Sequence, residues 1–239
     1  GTALGQITSG GDKLIIIGAI TPDGANLTSK NFAFTIEGLD ASSSIDGNGG
    51  TGRLFTINGA TSADVTFKNL TFSGHDTTLA GGSVLFNNVA GATVTFDNCT
   101  LTDNSVNNGA GGGAIFFANG NLNITNSSFE NNTSIEEAGA IFGQSGIITI
   151  TNSLFKSNSA ATKGGALYAN SANFTITGST FYDNETTGDA GAVGGAALYV
   201  AGANSTNSIT NCTFFQNTTG TTNQDYGTIR TDNGNTTVS

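Results

Sequence analysis

The sequence predicts an all-β chain wound as a right-handed parallel β-helix, a β-solenoid of about eight coils, and three observations predict it. Apolar residues return at fixed offsets: Phe67, Phe96, Ile124, Ile150, Ile176 and Ile209 are followed five positions later by Phe72, Leu101, Phe129, Phe155, Phe181 and Phe214. Three positions beyond each of those stand His75, Asn104, Asn132, Asn158, Asn184 and Asn217. Within the units apolar and polar residues alternate, as in Val94-Thr95-Phe96-Asp97 and Ile148-Thr149-Ile150-Thr151. That is the period of a strand, and no stretch carries the period of a helix.

One domain spans residues 1–239, and its elements follow in chain order. Residues 1–60 form degenerate N-terminal coils, with residues 14–20 as the first strand and Ile36 and Ile45 in a loosely matching copy. Regular repeats fill 61–230, and 231–239 is a short polar tail. After each ladder Asn comes a variable segment, then a small-residue step into a third apolar series: Val84, Ile115, Ile141, Leu167, Leu198 and Ile229. The step reads Gly-Gly-Ala before Ile115 and Leu167, is degenerate at Ala138-Gly139-Ala140, carries an extra Ala before Leu198, and is weakest at Tyr226-Gly227-Thr228. Length differences between copies fall in the variable segment or just before the next unit, where a loop absorbs them.

Two architectures use such units, a meander of hairpins and a stacked solenoid. Hairpins call for two-residue turns of the Asn-Gly type between adjacent runs. Here equivalent positions carry the same residue type copy after copy, which is what in-register stacking requires and what Asn ladders and stacked aromatics reward. Parallel crossovers are right-handed, and at ~4.8 Å per strand eight coils make a rod about 40 Å long. In that rod the Phe of each unit fills the interior, and Asn104, Asn132, Asn158, Asn184 and Asn217 form a structural ladder where the chain bends, Asn being tolerant of left-handed backbone. A second ladder, Asn69, Asn98, Asn126, Asn152 and Asn211, broken by Gly178, marks another corner. The Gly pairs are expected to allow positive φ and close approach of the next coil.

At these residues a family likeness becomes specific. Phe129-Glu130-Asn131-Asn132, Phe155-Lys156-Ser157-Asn158 and Phe181-Tyr182-Asp183-Asn184 alternate with Gly-Gly-Ala-Ile at 112–115 and Gly-Gly-Ala-Leu at 164–167. The pattern resembles the paired Gly-Gly-Ala-Ile/Leu/Val and Phe-x-x-Asn repeats of chlamydial polymorphic outer-membrane proteins and of adhesin-like surface proteins. The likeness runs from Phe67 to Ile229. It implies a β-helical passenger at the cell surface, used in adhesion, and so an extracellular location.

Composition narrows the function classes. The 239 residues hold 7 Lys plus Arg against 17 Asp plus Glu, a net charge of −10. The cations are scattered, whereas nucleic-acid binding needs them clustered. The longest apolar run, in residues 14–20, is too short to span a bilayer, and any secretory signal is expected to have been removed already. Cys99 and Cys212 occupy the same repeat position four coils apart, ~19 Å by strand spacing, whereas a disulfide needs Cα atoms within ~7 Å. Both read as inward core residues. His75, next to Asp76, reads as a corner substitute for Asn rather than as half of a catalytic pair. Asp103, Glu130, Lys156 and Asp183 read as one row on successive coils just before the corner Asn, an ion-pair row around Lys156. The segment from Asp46 through Gly50 reads as a turn, since it lacks the ligand spacing of a calcium loop. No cofactor and no metal site is expected.

The most suggestive surface feature is an array of Thr. Two outward ranks share one strand: Thr66, Thr95, Asn123, Thr149, Thr175 and Ser208, beside Lys68, Asp97, Thr125, Thr151, Thr177 and Thr210. Thr-x-Thr on consecutive coils is similar to the flat faces of ice-binding β-solenoids, although Thr is also an ordinary strand residue. A glycoside hydrolase needs two carboxylates about 5–9.5 Å apart, and no convergent acid–base cluster stands out. The sequence therefore points to a non-catalytic extracellular module, adhesin-like or a structural rod. The alternative is ice binding through Thr66, Thr95, Thr125, Thr149, Thr151, Thr175, Thr177 and Thr210, and a carbohydrate-active enzyme ranks last. The expected partner is a cell-surface receptor, a glycan or the chain's own subunits end to end, with no nucleic acid and no membrane-spanning segment.

Overall fold

A computed structural model describes residues 8–21, 32–47, 52–57, 64–188, 193–202, 206–220, 227–233 and 235–239. Every regular element among them is a strand. The strands lie in four sheets of nine, eight, six and seven members, each ordered so that neighbours come from successive coils. One coil shows the path: Thr93–Asp97 in the first sheet, Thr100–Thr102 in the second, Ser105–Val106 in the third and Ile115–Phe117 in the fourth, before Asn121–Thr125 starts the next. All pairings are parallel, as at Phe96↔Ile124 and Leu101↔Phe129. Six coils contribute to all four sheets, Phe34–Gly38, Ser44–Asp46 and Phe55–Ile57 supply a three-faced coil before them, and Asn235–Val238 closes the first sheet. The winding amounts to about seven turns rather than the eight expected, because the segment at 14–20 supplies only the short strands Lys13–Ile16 and Ala19–Ile20.

The interior is built from the three apolar series. Phe129, Phe155, Phe181 and Phe214 stack with ring centroids 4.9, 4.8 and 4.9 Å apart and planes within 6° of parallel. Coil spacing alone dictates this, because identical residues in register must lie one strand separation apart. Where the second series switches to Leu101, aromatic packing passes to Phe67 and Phe96, stacked at 4.8 Å, with Phe72 edge-on to both. The third series needs one correction: Leu85, not Val84, pairs with Ile115 and with Phe55. Val84 sits one residue before the strand, and both side chains are fully buried, so hydrophobicity alone could not separate them.

The buried Asn ladder forms as expected and has a regular bonding plan. Asn158 donates from Nδ2 to Oδ1 of Asn184 (2.9 Å) and to the carbonyl of Phe129 (2.9 Å), and its backbone N–H reaches the same Oδ1 (3.1 Å). Asn104, Asn132 and Asn184 repeat the plan, each with no exposed surface. The left-handed backbone, however, lies one residue earlier than expected: Asp103, Asn131, Ser157, Asp183 and Gln216 have φ of 52 to 57°. The ladder Asn is selected for its amide, and the residue before it makes the bend. At the other corner expectation and structure agree, with Asn69, Asn98, Asn126, Asn152 and Asn211 at φ 49 to 53° and Gly178 at 60°.

The Gly-Gly-Ala step is mainly a matter of close approach. A Cβ on Gly113, Gly139 or Gly165 would meet the carbonyl oxygen of the next coil at 2.0, 2.0 or 2.1 Å. At these three places only Gly fits, whereas Ser83 and Ala196 hold the equivalent position in the flanking coils.

Two stability outcomes follow from this packing. Phe155→Ala removes a ring stacked on both sides and is expected to cost about 3–5 kcal/mol. Asn158→Ala strips its partners of bonds and is expected to cost about 1–3 kcal/mol. Chemical denaturation of each variant checks both, and an Asn158→Ala midpoint equal to that of the parent would mean that the ladder adds nothing.

Candidate functional site

The two Thr ranks stand on the outer side of the first sheet in strict register. Thr95 pairs with Thr66 and Asn123, which continues through Thr149 and Thr175 to Ser208. Asp97 pairs with Lys68 and Thr125, which continues through Thr151 and Thr177 to Thr210. Alternation puts each of these side chains on the solvent side while Phe96, Ile124, Ile150 and Ile176 between them are buried. Lys68 and Asp97 form an ion pair at 3.4 Å. The uncharged part of the face therefore begins at the coil of Asn123 and Thr125.

Beside this face, the corner between the first and second sheets is concave. Two adjoining cavities of about 430 and 350 Å³ share Asn98 and Thr100, and together they run from the coil of Leu39 to that of Thr180. The exposed Asn ladder lines them. Asn98 donates to Asn69 Oδ1 at 2.9 Å and Asn69 to Glu37 Oε1 at 3.4 Å. The amides of Asn126 and Asn152 are exposed and have no side-chain partner among the described residues. Beneath them, Ser127, Ser153 and Ser179 donate to the carbonyls of Thr125, Thr151 and Thr177 at 2.8, 2.8 and 3.0 Å. Each hydroxyl also accepts the backbone N–H of the equivalent residue one coil earlier, beginning with Cys99 at 3.0 Å. Reading the sequence found this ladder as a corner but not the concavity, because depth depends on how two sheets meet.

Cys99 continues the Ser column, and Cys212 stands at the same position at the far end. Both are free thiols, Cys99 buried and Cys212 half-buried. Burial pushes the Cys99 thiol up to about 12, so it is an inert core residue rather than a nucleophile.

His75 takes the first rung of the buried ladder, as expected. Its backbone N–H reaches Asn104 Oδ1 at 3.1 Å, and its Nε2 lies 3.2 Å from the carbonyl of Ile45. A carbonyl only accepts, so Nε2 carries the proton and does the work of an Asn Nδ2. Burial holds the imidazole below its ordinary value of 6.5, against smaller upward effects of the Ile45 bond and the Asp46 charge. Asp76 is turned away and accepts from Asn107 Nδ2 at 2.6 Å.

Charged groups meet elsewhere than expected. Glu130 pairs across the sheet with Thr102 and Lys156, whereas Asp103 and Asp183 lie one residue later in the left-handed corner. The supposed row of Asp103, Glu130, Lys156 and Asp183 is therefore two rows, a one-residue slip hidden by their similar chemistry. The groups that do converge lie outside the fourth sheet, around an aromatic column absent from the sequence reading. Phe86, Phe116, Phe142, Tyr168 and Tyr199 follow each other at 5.2, 5.0, 4.8 and 5.2 Å. Lys163, over the Tyr168 ring at 5.2 Å, pairs with Glu137 at 2.7 Å. Arg230, over Tyr199 at 5.2 Å, pairs with Asp232 at 3.1 Å, and the Tyr199 hydroxyl donates to Asp232. The Arg230 and Tyr199 bonds keep the Asp232 carboxyl below the usual range, while burial pushes the Tyr199 phenol up. Tyr199 and Asp232 are thus held in their resting charge states. The signal was available, since an aromatic follows the third-series residue in five of the six copies once Leu85 replaces Val84, with Arg230 in that place in the sixth.

Among the described residues no three of His, Cys, Asp or Glu come together where a metal could be held, and no helix is long and apolar enough to cross a membrane. Asn48 to Gly50 of the Asp46 turn lie outside the described residues.

The family model for a right-handed β-helix region matches residues 41–239. No curated protein and no solved structure matches the chain.

The His75 rung makes stability depend on pH with a definite sign. Its pKa is depressed on folding, so below about 6.5 the unfolded chain takes up a proton that the folded chain refuses. Stability is complete above that value and falls as the pH drops through it toward the folded pKa. His75→Asn restores the rung without a titrating group. It is expected to flatten the dependence between about pH 7.5 and 5.5 in denaturation midpoints; an unchanged slope would place the titration elsewhere.

Proposed function

The chain belongs to the right-handed β-helix family, and on that premise we propose that it is a non-catalytic, extracellular surface module, a rigid rod that presents repeated polar faces for adhesion. The observation that carries this reading is the uniformity of the first sheet and its corner. Thr125, Thr151, Thr177 and Thr210 stand in one rank, Asn98, Asn126 and Asn152 in another, and each coil offers nearly the same groups as the last. A catalytic centre needs unlike groups converging on one reacting atom. An adhesive surface needs like groups repeated along a line. The Gly-Gly-Ala-Ile/Leu and Phe-x-x-Asn pattern supports the same reading through its similarity to chlamydial polymorphic outer-membrane proteins and adhesin-like repeats.

A second reading, ice binding, is favoured by one specific feature. Thr149-x-Thr151 and Thr175-x-Thr177 are in exact cross-strand register and outward-facing on adjacent coils. Lys68 and Asp97 interrupt the array at one end, and adhesion is therefore the reading we adopt.

Incubation with a panel of polysaccharides separates the classes. The expected outcome is retention of glycan on the immobilised protein, with no new reducing ends and no unsaturated sugars by chromatography. Products that accumulate with time would make the chain an enzyme. Ice-crystal shaping that is abolished by Thr151→Lys would favour the second reading over the first.

A further inference from the structure

The groove at the corner of the first and second sheets has the dimensions and chemistry of a ligand site. We propose that it binds an extended, uncharged polysaccharide lying parallel to the rod axis; this rests on the surface-module reading and gives it a ligand class.

Length comes first. The two cavities join through Asn98 and Thr100 and extend over six coils, from Leu39 to Thr180. Five steps at ~4.8 Å make about 24 Å, a run that takes several sugar units of an extended chain and far exceeds a monosaccharide.

Charge comes second. Asp40 is the one ionisable carboxylate in the lining, and its Oδ1 accepts from Ser42 and Ser43. No cation lines the groove, and the chain as a whole carries −10. A uronate or phosphate polymer would meet repulsion with no compensating ion pair.

The amides are the most telling feature. In the buried ladder every amide is bonded on both sides, as at Asn158. In the groove the Asn126 and Asn152 amides are exposed and unpartnered among the described residues. Their backbone geometry does not require a side chain at all, since Gly178 makes the same left-handed turn at φ 60°. Each amide offers two donors and an acceptor, once per coil, beside the hydroxyls of Thr100 and Ser128. Sugar hydroxyls also both donate and accept, and they are the repeating groups that such a row satisfies. Leu154 and Leu39 supply small apolar surfaces for the faces of the rings. A peptide adding as a strand would need a free sheet edge. The strands flanking this groove are already paired on both sides by neighbouring coils, as Ser128–Glu130 is by Thr100–Thr102 and Leu154–Lys156.

The test uses the full chain and fluorescein-labelled linear oligosaccharides of β-1,4-glucan, β-1,4-mannan and β-1,4-xylan, with oligogalacturonate as the anionic comparison, read by fluorescence anisotropy. The site is removed by the pair Asn126→Gly and Asn152→Gly, which keeps the turn that Gly178 already makes. Binding of at least one neutral oligosaccharide is expected, weakened about tenfold in the double variant by loss of two amide contacts. The circular dichroism spectrum of that variant should match the parent. Thr175→Lys, on the neighbouring face, is expected to leave the affinity unchanged. Failure of every neutral glycan to bind, binding of oligogalacturonate alone, or indifference to the double substitution overturns the groove. Loss of binding in Thr175→Lys instead moves the contact to the Thr face, which also overturns the groove while the surface-module reading stands. Cleavage of the oligosaccharide by the parent would sink that reading itself.

Discussion

Everything in this molecule depends on one constraint, that each coil must lie on the last at the spacing of hydrogen-bonded strands. Once that spacing is fixed, a residue type is judged by how it meets a copy of itself. Planar rings stack, so Phe129, Phe155, Phe181 and Phe214 form a column with nearly parallel planes. Asn amides carry donor and acceptor on one group and so chain from coil to coil, as Asn132, Asn158 and Asn184 do. Buried charges cannot be stacked on themselves, and the described core contains none. The same rule explains why a histidine appears only on the terminal rung. His75 has no ladder residue of its own kind to satisfy, and its Nε2–H needs only the carbonyl of Ile45.

The constraint acts on the backbone as well as the side chains. Both corners of the first three sheets turn on a single left-handed residue, and the chain fills those places with Asn, Asp, Ser, Gln or Gly. Variation in length collects in the segments between the third and fourth sheets. Among the described residues, Ala110, Ala138 and Lys163 of these segments lie against the outer aromatic column from Phe86 to Tyr199. That column, with Glu137, Lys163, Arg230 and Asp232 around it, forms a second small core outside the main one. It ties the variable loops to the rod, and its ions answer each other rather than a solvent-filled cleft.

Much of this was legible in the sequence, because a repeat displays its own core. The five-and-three offsets located the interior columns and the ladder to the residue, and both outward Thr ranks appear in the expected register. Where the reading slipped, it slipped by a single position. Val84 and Leu85 are both apolar, so periodicity does not choose between them. Asn suits both the amide ladder and left-handed backbone, so the sequence places the bend on the ladder Asn rather than on its predecessor. Asp103 and Glu130 are both acids, so the sequence sets them in one row. Periodicity gives spacing, and only hydrogen-bond register distinguishes neighbours of like character. The corner groove was illegible for a different reason. Its Asn69, Asn98, Asn126 and Asn152 stand out in the sequence as a ladder, but concavity is a relation between two sheets and leaves no mark on either one alone.

A rod whose coils were perfectly alike could recognise only a perfectly periodic partner, and with equal strength at every register. Specificity has to enter through departures from the repeat. On the first face and its corner they are few. Lys68 and Asp97 interrupt the Thr face, Leu154 replaces a hydroxyl in the row of Thr100, Ser128 and Thr180, and Gly178 drops an amide from the ladder, with Oδ1 of Asn152 against the place its Cβ would take. None of these improves the core, and each changes what the groove or its neighbouring face presents to solvent. Along the first and second apolar series, by contrast, substitutions stay within one kind: Phe for Leu, Ile for Phe. The interior keeps the period that folding needs, and the first face and its corner carry the irregularities that would fix a ligand in one register.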